Sequence, residues 1–155
     1  MRVSVIGGSS VDDETAAVAE RVGELLGDRD HTVVCGGYGG VMAAACRGTK
    51  RAGGQTVGIL SGADPRAGND YLDTAVATGL GNARNPLVVL NGDGVVAVDG
   101  ATGTLSELGH ALDYGRPVAG LNTHDCTEFD GFEAVETAAA AVDSLERRVT
   151  SSSHP

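Results

Sequence analysis

The chain has few aromatic and few basic side chains. Its 155 residues include no tryptophan, three tyrosines and two phenylalanines, too few to build the aromatic platforms on which proteins stack single-stranded nucleic acid. It has 11 basic and 21 acidic residues, which gives a net charge of −10. This charge argues against binding to nucleic acid or to an anionic membrane surface, because both attract positive charge.

Long apolar runs and paired cysteines are also lacking. No stretch approaches the ~18 consecutive apolar residues of a membrane span, and the N-terminus becomes polar too early for a signal peptide. Cys35, Cys46 and Cys126 are an odd number without CxxC spacing, which indicates reduced, buried thiols in a cytoplasmic protein. The acidic composition with a single lysine, Lys50, is typical of a halophilic protein from a high-salt cytoplasm, where salt screens self-repulsion.

Short β-branched runs alternate with Ala-rich segments along the chain. The predicted strands are 2–6, 31–35, 56–60, 74–78, 94–98 and 117–121, and the predicted helices are 12–26, 41–52, 82–90, 104–114 and 129–148. This alternation predicts an α/β fold with a doubly wound, mostly parallel Rossmann-like sheet and helices on both faces. We expect one domain over residues 1–148 and a flexible tail at 149–155.

Three glycine-rich segments follow predicted strands, so they meet at the carboxyl edge of the sheet, where such folds bind ligands. They are 7–10, 36–40 and 99–107. Their N–H groups and the helix N-termini behind them favour a phosphate. Tight turns with close helix packing are the alternative explanation of the glycines. The expected ligand-binding residues in them are Gly7, Gly8, Ser9, Gly37, Gly39, Gly40, Met42, Gly100, Thr102, Gly103 and Thr104.

Two charged residues are expected at the same edge. Arg84, with Asn82 and Asn85 beside it, lies near a helix start, where a cation opposes the helix dipole and a bound anion would explain it. An exposed or ion-paired arginine is the alternative. Glu107 is a candidate catalytic carboxylate, but its spacing from Thr104 also fits a Thr-x-x-Glu capping box with no catalytic role.

The order of these motifs resembles a superfamily that contains the Lonely Guy phosphoribohydrolases, often misnamed lysine decarboxylases, and the molybdenum-cofactor carrier proteins. The segment 39–43 is similar to the family's glycine cluster ending in Gly-Leu-Met-Gly, and 99–107 is similar to Pro-Gly-Gly-x-Gly-Thr-x-x-Glu. Asp99 and Ala101 replace the family's Pro and second Gly, and Asn85 replaces the hydrolases' Lys. The resemblance covers residues 1–145 and is closer to the short, carrier-like branch.

The resemblance implies a phosphorylated, nucleotide-like ligand and leaves the activity open. A hydrolase would cleave the N-glycosidic bond of a nucleoside 5'-monophosphate, with Glu107 stabilising the oxocarbenium-like charge or polarising water and Arg84 binding substrate oxygens. A carrier would hold molybdenum cofactor or another phosphorylated cofactor, and a sensor would hold a nucleotide, without turnover. None of these requires a metal or an additional cofactor. The resemblance also implies a homodimer or homotetramer.

The lysine content of the chain argues against a lysine decarboxylase that uses pyridoxal phosphate. That chemistry needs a lysine that forms a Schiff base with the cofactor. Lys50 is the only lysine, and ten helical residues place it ~15 Å from Gly40 at ~1.5 Å per residue.

Overall fold

The computed structural model describes residues 1–152. These residues form seven strands and five α-helices, which alternate except that no α-helix separates the third strand from the fourth or the sixth from the seventh. The strands are β1 (Arg2–Gly7), β2 (Thr32–Cys35), β3 (Gln55–Leu60), β4 (Thr74–Ala77), β5 (Gly94–Val98), β6 (Val118–Leu121) and β7 (Phe132–Val135). The helices are α1 (Asp13–Asp28), α2 (Val41–Arg51), α3 (Asn85–Leu90), α4 (Thr102–Asp113) and α5 (Ala138–Ser152). The predicted α/β class is confirmed.

All strand pairs are parallel, and the sheet order is β4-β3-β2-β1-β5-β6-β7. Helices α1, α2 and α5 cover one face, and α3 and α4 lie on the other. From β1 the chain adds β2, β3 and β4 on one side of the sheet. It then crosses to the other side of β1, where β5, β6 and β7 follow. The crevice beyond the carboxyl ends of β1 and β5 is therefore the switch point at which this fold class binds ligands.

Glycine brings α1 and α2 together on the first face. A Cβ on Gly23 would lie 2.0 Å from the Ala45 carbonyl oxygen, and one on Gly48 would lie 2.0 Å from the Glu20 carbonyl oxygen. The helices approach at main-chain distance because neither glycine has a side chain. At the start of α1, the Thr15 N–H donates to Asp12 Oδ1 at 2.8 Å, as expected for a capping aspartate.

The predicted helix over 129–148 is wrong in its first part. Phe132–Val135 forms the edge strand β7, with Phe132 opposite Val118 of β6. Helix α5 begins only at Ala138, where Thr137 Oγ1 accepts the Ala140 N–H at 3.1 Å. The strand was missed because an edge strand with half-exposed side chains lacks a continuous apolar run.

Other helix boundaries also differ from the prediction. The segment 82–90 divides into a 3₁₀ turn, Gly81–Arg84, and α3, because Pro86 has no N–H and belongs in a first helical turn. Helix α4 begins at Thr102 rather than at residue 104. Helix α5 continues to Ser152, so residues 149–152 of the predicted tail are helical, and 153–155 lie outside the described residues. No helix within residues 1–152 has the length and apolar character needed to cross a membrane.

Candidate functional site

The turn after β1 and the N-terminus of α2 are in direct contact at the switch point. The Val41 N–H donates to the Gly8 carbonyl oxygen at 2.9 Å. Gly40 precedes the helix with φ +61°, and a Cβ there would lie 2.2 Å from the same oxygen. No side chain caps this helix end, and its first turn has no acidic residue. The N–H groups of Met42 and Ala43 therefore have no intrahelical acceptor and can bind an anion.

The N-terminus of α4 lies beside this turn, because Gly7 of β1 pairs with Val98 of β5. It too has no side-chain cap and no acidic residue in its first turn. A Cβ on Gly103 would meet nothing within 4 Å, so the main chain there is open to an approaching ligand. Together these two helix N-termini and the β1 turn form a cradle of main-chain donors, which we call the anion cradle.

The side chain of Arg84 lies next to the glycine-rich turn after β2. It is 9% exposed, and its Nε donates to the Ile59 carbonyl oxygen at 2.9 Å. Its Nη1 donates to Asn85 Oδ1, and its Nη2 approaches the Gly36 carbonyl oxygen at 3.4 Å. The guanidinium also lies 5.9 Å from the ring centre of Tyr38. Arg84 thus holds the ends of two strands together and retains N–H groups for a ligand.

Glu107 lies inside α4, on its buried side. The helix begins at Thr102, so the predicted capping box with Thr104 is wrong: Glu107 is in the second turn and is only 9% exposed. Burial raises its pKa to about 7, although the positive charge of Arg84 opposes this shift. Its carboxyl group makes no hydrogen bond within the described residues. A buried carboxyl group with these properties can donate or accept a proton near neutral pH.

Several other predicted residues have structural contacts. Met42 packs its side chain against Cys35 and Cys46 and is only 9% exposed. Gly37 has φ +85° and packs against Leu60. The remaining predicted residues divide into three groups by burial. Two are buried, Asn85 and Thr104; four are half-buried, Gly7, Gly8, Gly40 and Gly100; and five are exposed, Ser9, Gly39, Asn82, Thr102 and Gly103.

A cavity of about 650 Å³, which the sequence did not predict, lies on the side of Asp99 that faces away from the cradle. A Cβ on Gly8 would lie 3.2 Å from Asp99 Oδ2, so this carboxylate lies between the cradle and the cavity. The Asp99 carbonyl oxygen accepts a hydrogen bond from Thr123 Oγ1 at 2.7 Å. Five carboxylate residues are among those that line the cavity: Asp12, Glu14, Asp99, Asp125 and Glu136. They are dispersed along the sequence, which gave no signal for their convergence.

The only lysine of the chain lies away from this edge. Lys50 lies near the far end of α2, where its Nζ donates to Asp73 Oδ1 at 2.8 Å. Within residues 1–152, no three His, Cys, Asp or Glu side chains are grouped so that they could hold a metal ion.

The fold is that of a Rossmann-like protein, with two uncapped helix N-termini at the switch point. Residues 1–149 match the SLOG cluster4 family, to which the chain belongs. A protein of Archaeoglobus fulgidus is 41% identical over 145 residues, which are 92% of each chain. The superfamily resemblance expected from the motifs is thereby confirmed.

Two solved structures are similar over nearly their full length. The molybdenum cofactor binding protein of the phototrophic bacterium Rippkaea orientalis has a TM-score of 0.89 and 30% identity, with 96% of both chains covered. The molybdenum cofactor carrier protein of Chlamydomonas reinhardtii has a TM-score of 0.86 and 27% identity, with 96% of this chain and 98% of that chain covered. The structural neighbours therefore include proteins that bind this cofactor.

Proposed function

We propose that this protein binds molybdenum cofactor, or a closely similar phosphorylated cofactor, and carries it without chemical change. The observation that supports this most directly is the anion cradle, in which two uncapped helix N-termini meet beside the β1 turn. Such a cradle suits a terminal phosphate. In a chain with a net charge of −10, main-chain donors and Arg84 are the groups that favour an anion there.

The cavity beyond Asp99 supports the same proposal. Its volume of about 650 Å³ lies within the range of small-molecule sites. Its carboxylates would repel a phosphate but can accept hydrogen bonds from N–H groups of a nitrogen-rich ring. A ligand with a phosphate at one end and such a ring at the other would extend from the cradle past Asp99 into the cavity.

Hydrolysis of a nucleoside 5'-monophosphate is a second candidate function, and Glu107 is the observation that favours it. A carboxyl group whose pKa is about 7 can exchange a proton at neutral pH. Arg84 supplies the positive charge that would balance a developing negative charge on the substrate. The carrier proposal needs no such group.

The experiment that tests the carrier proposal uses cofactor released from a purified molybdoenzyme. The protein is mixed with this cofactor under anoxic conditions and passed through a gel-filtration column. We expect molybdenum and pterin fluorescence to elute with the wild-type protein and with the variant Gly53→Ala, which lies outside the cradle. They should not elute with Gly40→Ala. Elution of the cofactor away from the wild-type protein would contradict the proposal.

A parallel experiment tests the hydrolase candidate. AMP and other nucleoside 5'-monophosphates are incubated with the protein, and release of the free base is followed by chromatography. Base release by the wild-type protein that is lost in Glu107→Gln would establish hydrolysis and refute a pure carrier. No release across the panel would exclude these substrates.

We also propose that the chain forms a homodimer or homotetramer. An apolar groove of about 300 Å³ includes Val57 and Val76 of the sheet and Leu87 of α3. Val76 is 45% exposed, and Leu90 at the end of α3 is 44% exposed. A second copy of this chain could bury this surface, and light scattering after gel filtration would give the mass in solution.

A further inference from the structure

Two thiols lie beside the glycine-rich turn 36–40, which leads from β2 into α2 at the anion cradle. Cys35 is the last residue of β2, and Cys46 lies in the second turn of α2. Their Sγ atoms are 3.6 Å apart, and both residues are fully buried. The turn 36–40 connects these two elements. A covalent bond between the two sulfur atoms would therefore close a ring around that turn.

The two sulfur atoms differ in their acidity. The pKa of Cys35 is raised well above its usual value by its hydrogen bond to Cys46 and by burial. The pKa of Cys46 is lowered by the hydrogen bond with Cys35 and by another with the Asn69 side chain. Cys46 is therefore the more acidic of the two thiols and the one that more readily forms a thiolate. A thiolate is the form that reacts with oxidants.

We propose that Cys35 and Cys46 are an oxidation site, at which peroxide forms a reversible disulfide that fastens the turn 36–40. The sulfur atoms have to approach from 3.6 Å to about 2.05 Å, the length of a disulfide bond. The approach draws α2 towards the end of β2. It also constrains Gly37, whose N–H donates to Cys35 Sγ at 3.3 Å. This proposal does not depend on which ligand the cradle holds.

The reaction has two steps. The Cys46 thiolate attacks one oxygen of hydrogen peroxide, the O–O bond breaks, and sulfenic acid and hydroxide form. The Cys35 sulfur then attacks the Cys46 sulfur, the S–O bond breaks, and the S–S bond forms while a second hydroxide leaves. The two thiol protons convert both hydroxides to water. The thiols lose two electrons to peroxide, and a dithiol reductant reverses the change.

The segment between β3 and β4 controls the access of peroxide to the pair. Leu72 packs over the cysteines, and the Asn69 side chain donates to the Tyr38 carbonyl oxygen at 2.9 Å. This segment has a polar sequence and only one short 3₁₀ turn, Pro65–Ala67. Local opening of such a segment costs less than global unfolding. A small oxidant can therefore reach thiols that are buried in the closed state.

The test counts free thiols in the full chain after exposure to hydrogen peroxide. Treated protein is denatured, its free thiols are alkylated, and its mass is measured. We expect the number of alkylated cysteines to fall from three to one in the wild-type protein and to return to three after dithiothreitol. Both sulfurs lie between Arg29 and Arg47, so trypsin should release one peptide that is two hydrogens lighter than its reduced form.

Cysteine variants identify which two sulfur atoms form the disulfide bond. Cys126 belongs to a different core cluster and should be dispensable, so Cys126→Ala should still lose both of its remaining thiols. Cys46→Ala should not form an intramolecular disulfide. In the oxidised wild-type protein, amide hydrogen exchange over 36–45 should slow severalfold, because the ring constrains the turn.

Three outcomes would overturn the proposal. One is a wild-type protein that keeps three alkylatable thiols after prolonged exposure just below its melting temperature. Another is stable sulfinic acid or a disulfide between chains in place of the internal bond. The third is an internal disulfide with unchanged hydrogen exchange in the turn 36–40, which would refute the fastening of this turn.

Discussion

The Val41 N–H donates to the carbonyl oxygen of Gly8 at 2.9 Å, and this bond joins the first residue of α2 to the turn after β1. It leaves no space for a side chain between the two elements. A Cβ on Gly40 would lie 2.2 Å from the same oxygen. The close approach of α2 to the β1 turn therefore depends on a glycine at this position.

We expect Gly40→Ala to reduce the free energy of unfolding by roughly 2–3 kcal/mol, the sum of a positive φ and a main-chain clash. Urea unfolding measures this loss. Gly53→Ala is the matched control, because Gly53 has φ +79° and an added Cβ would meet nothing within 4 Å. Its cost should be only ~1 kcal/mol. Equal losses in the two variants would show that the contact with Gly8 is unimportant.

Arg84→Lys should weaken both the fold and the ligand site. An ammonium group cannot reproduce the planar set of hydrogen bonds that the guanidinium makes to Ile59, Gly36 and Asn85. We expect a loss of about 1–3 kcal/mol in the free energy of unfolding and weaker retention of molybdenum cofactor. Arg66→Lys is the control, since the Arg66 side chain is 89% exposed. Unchanged cofactor retention in Arg84→Lys would place the site elsewhere.

Glu107 should make the protein less stable as the pH rises towards neutrality. Its pKa is about 7 in the folded protein, against an ordinary value of 4.5. Between these pH values the folded state binds more protons than the unfolded state, so the free energy of unfolding falls with pH. The whole effect amounts to roughly 3 kcal/mol. Denaturant unfolding from pH 4 to pH 8 should show this slope in the wild-type protein.

Glu107→Gln should lose that part of the pH dependence, because glutamine does not titrate. The difference in unfolding free energy between this variant and the wild-type protein should grow from pH 4.5 to pH 7 and then stay constant. Glu128→Gln, at an exposed position, should follow the wild-type curve. Parallel curves for Glu107→Gln and the wild-type protein would mean that Glu107 ionises normally.

Local sequence patterns predicted most of the elements and the edge at which the cradle lies. Valine-rich runs predicted β1, β2 and β5 because central parallel strands are buried on both faces. The same reasoning missed β7, an edge strand whose residues Phe132 and Glu133 are half-exposed. Glycine clusters and helix starts correctly indicated that residues 7–10, 36–40 and 99–107 come together.

Local sequence patterns did not predict contacts between residues that are distant in the chain. The spacing of Thr104 and Glu107 suggested a capping box, and only the helix start at Thr102 shows that Glu107 is buried in the second turn. The bond between Arg84 and Ile59 spans 25 positions. The carboxylates of the cavity converge from the first helix and from the loops of the last three strands. Such convergence depends on strand order, which local patterns do not encode.

High salt should stabilise this protein, as its net charge of −10 predicts. Screening reduces the repulsion between exposed carboxylates and so favours the compact state. We expect the melting temperature to rise between 0.05 and about 2 M potassium chloride, over which the screening length falls severalfold. Choline chloride at the same concentrations separates screening from specific potassium binding. Equal melting temperatures across the series would contradict the expectation.

Asp99→Asn should strengthen anion binding at the cradle. The Asp99 carboxylate lies beside Gly8, where its charge opposes a phosphate. Asparagine keeps the shape and tolerates the residue's φ of +55°, so the fold should be unchanged. The gain should be on the order of 1 kcal/mol, or about fivefold in the dissociation constant. Inorganic phosphate is the probe, and calorimetry at low salt measures its dissociation constant.

Asp30→Asn is the matched control, since Asp30 also has a positive φ of +58° but precedes β2 at the opposite edge of the sheet. An equal gain in both variants would indicate a general effect of net charge, and no gain in Asp99→Asn would show that the phosphate does not bind beside Gly8.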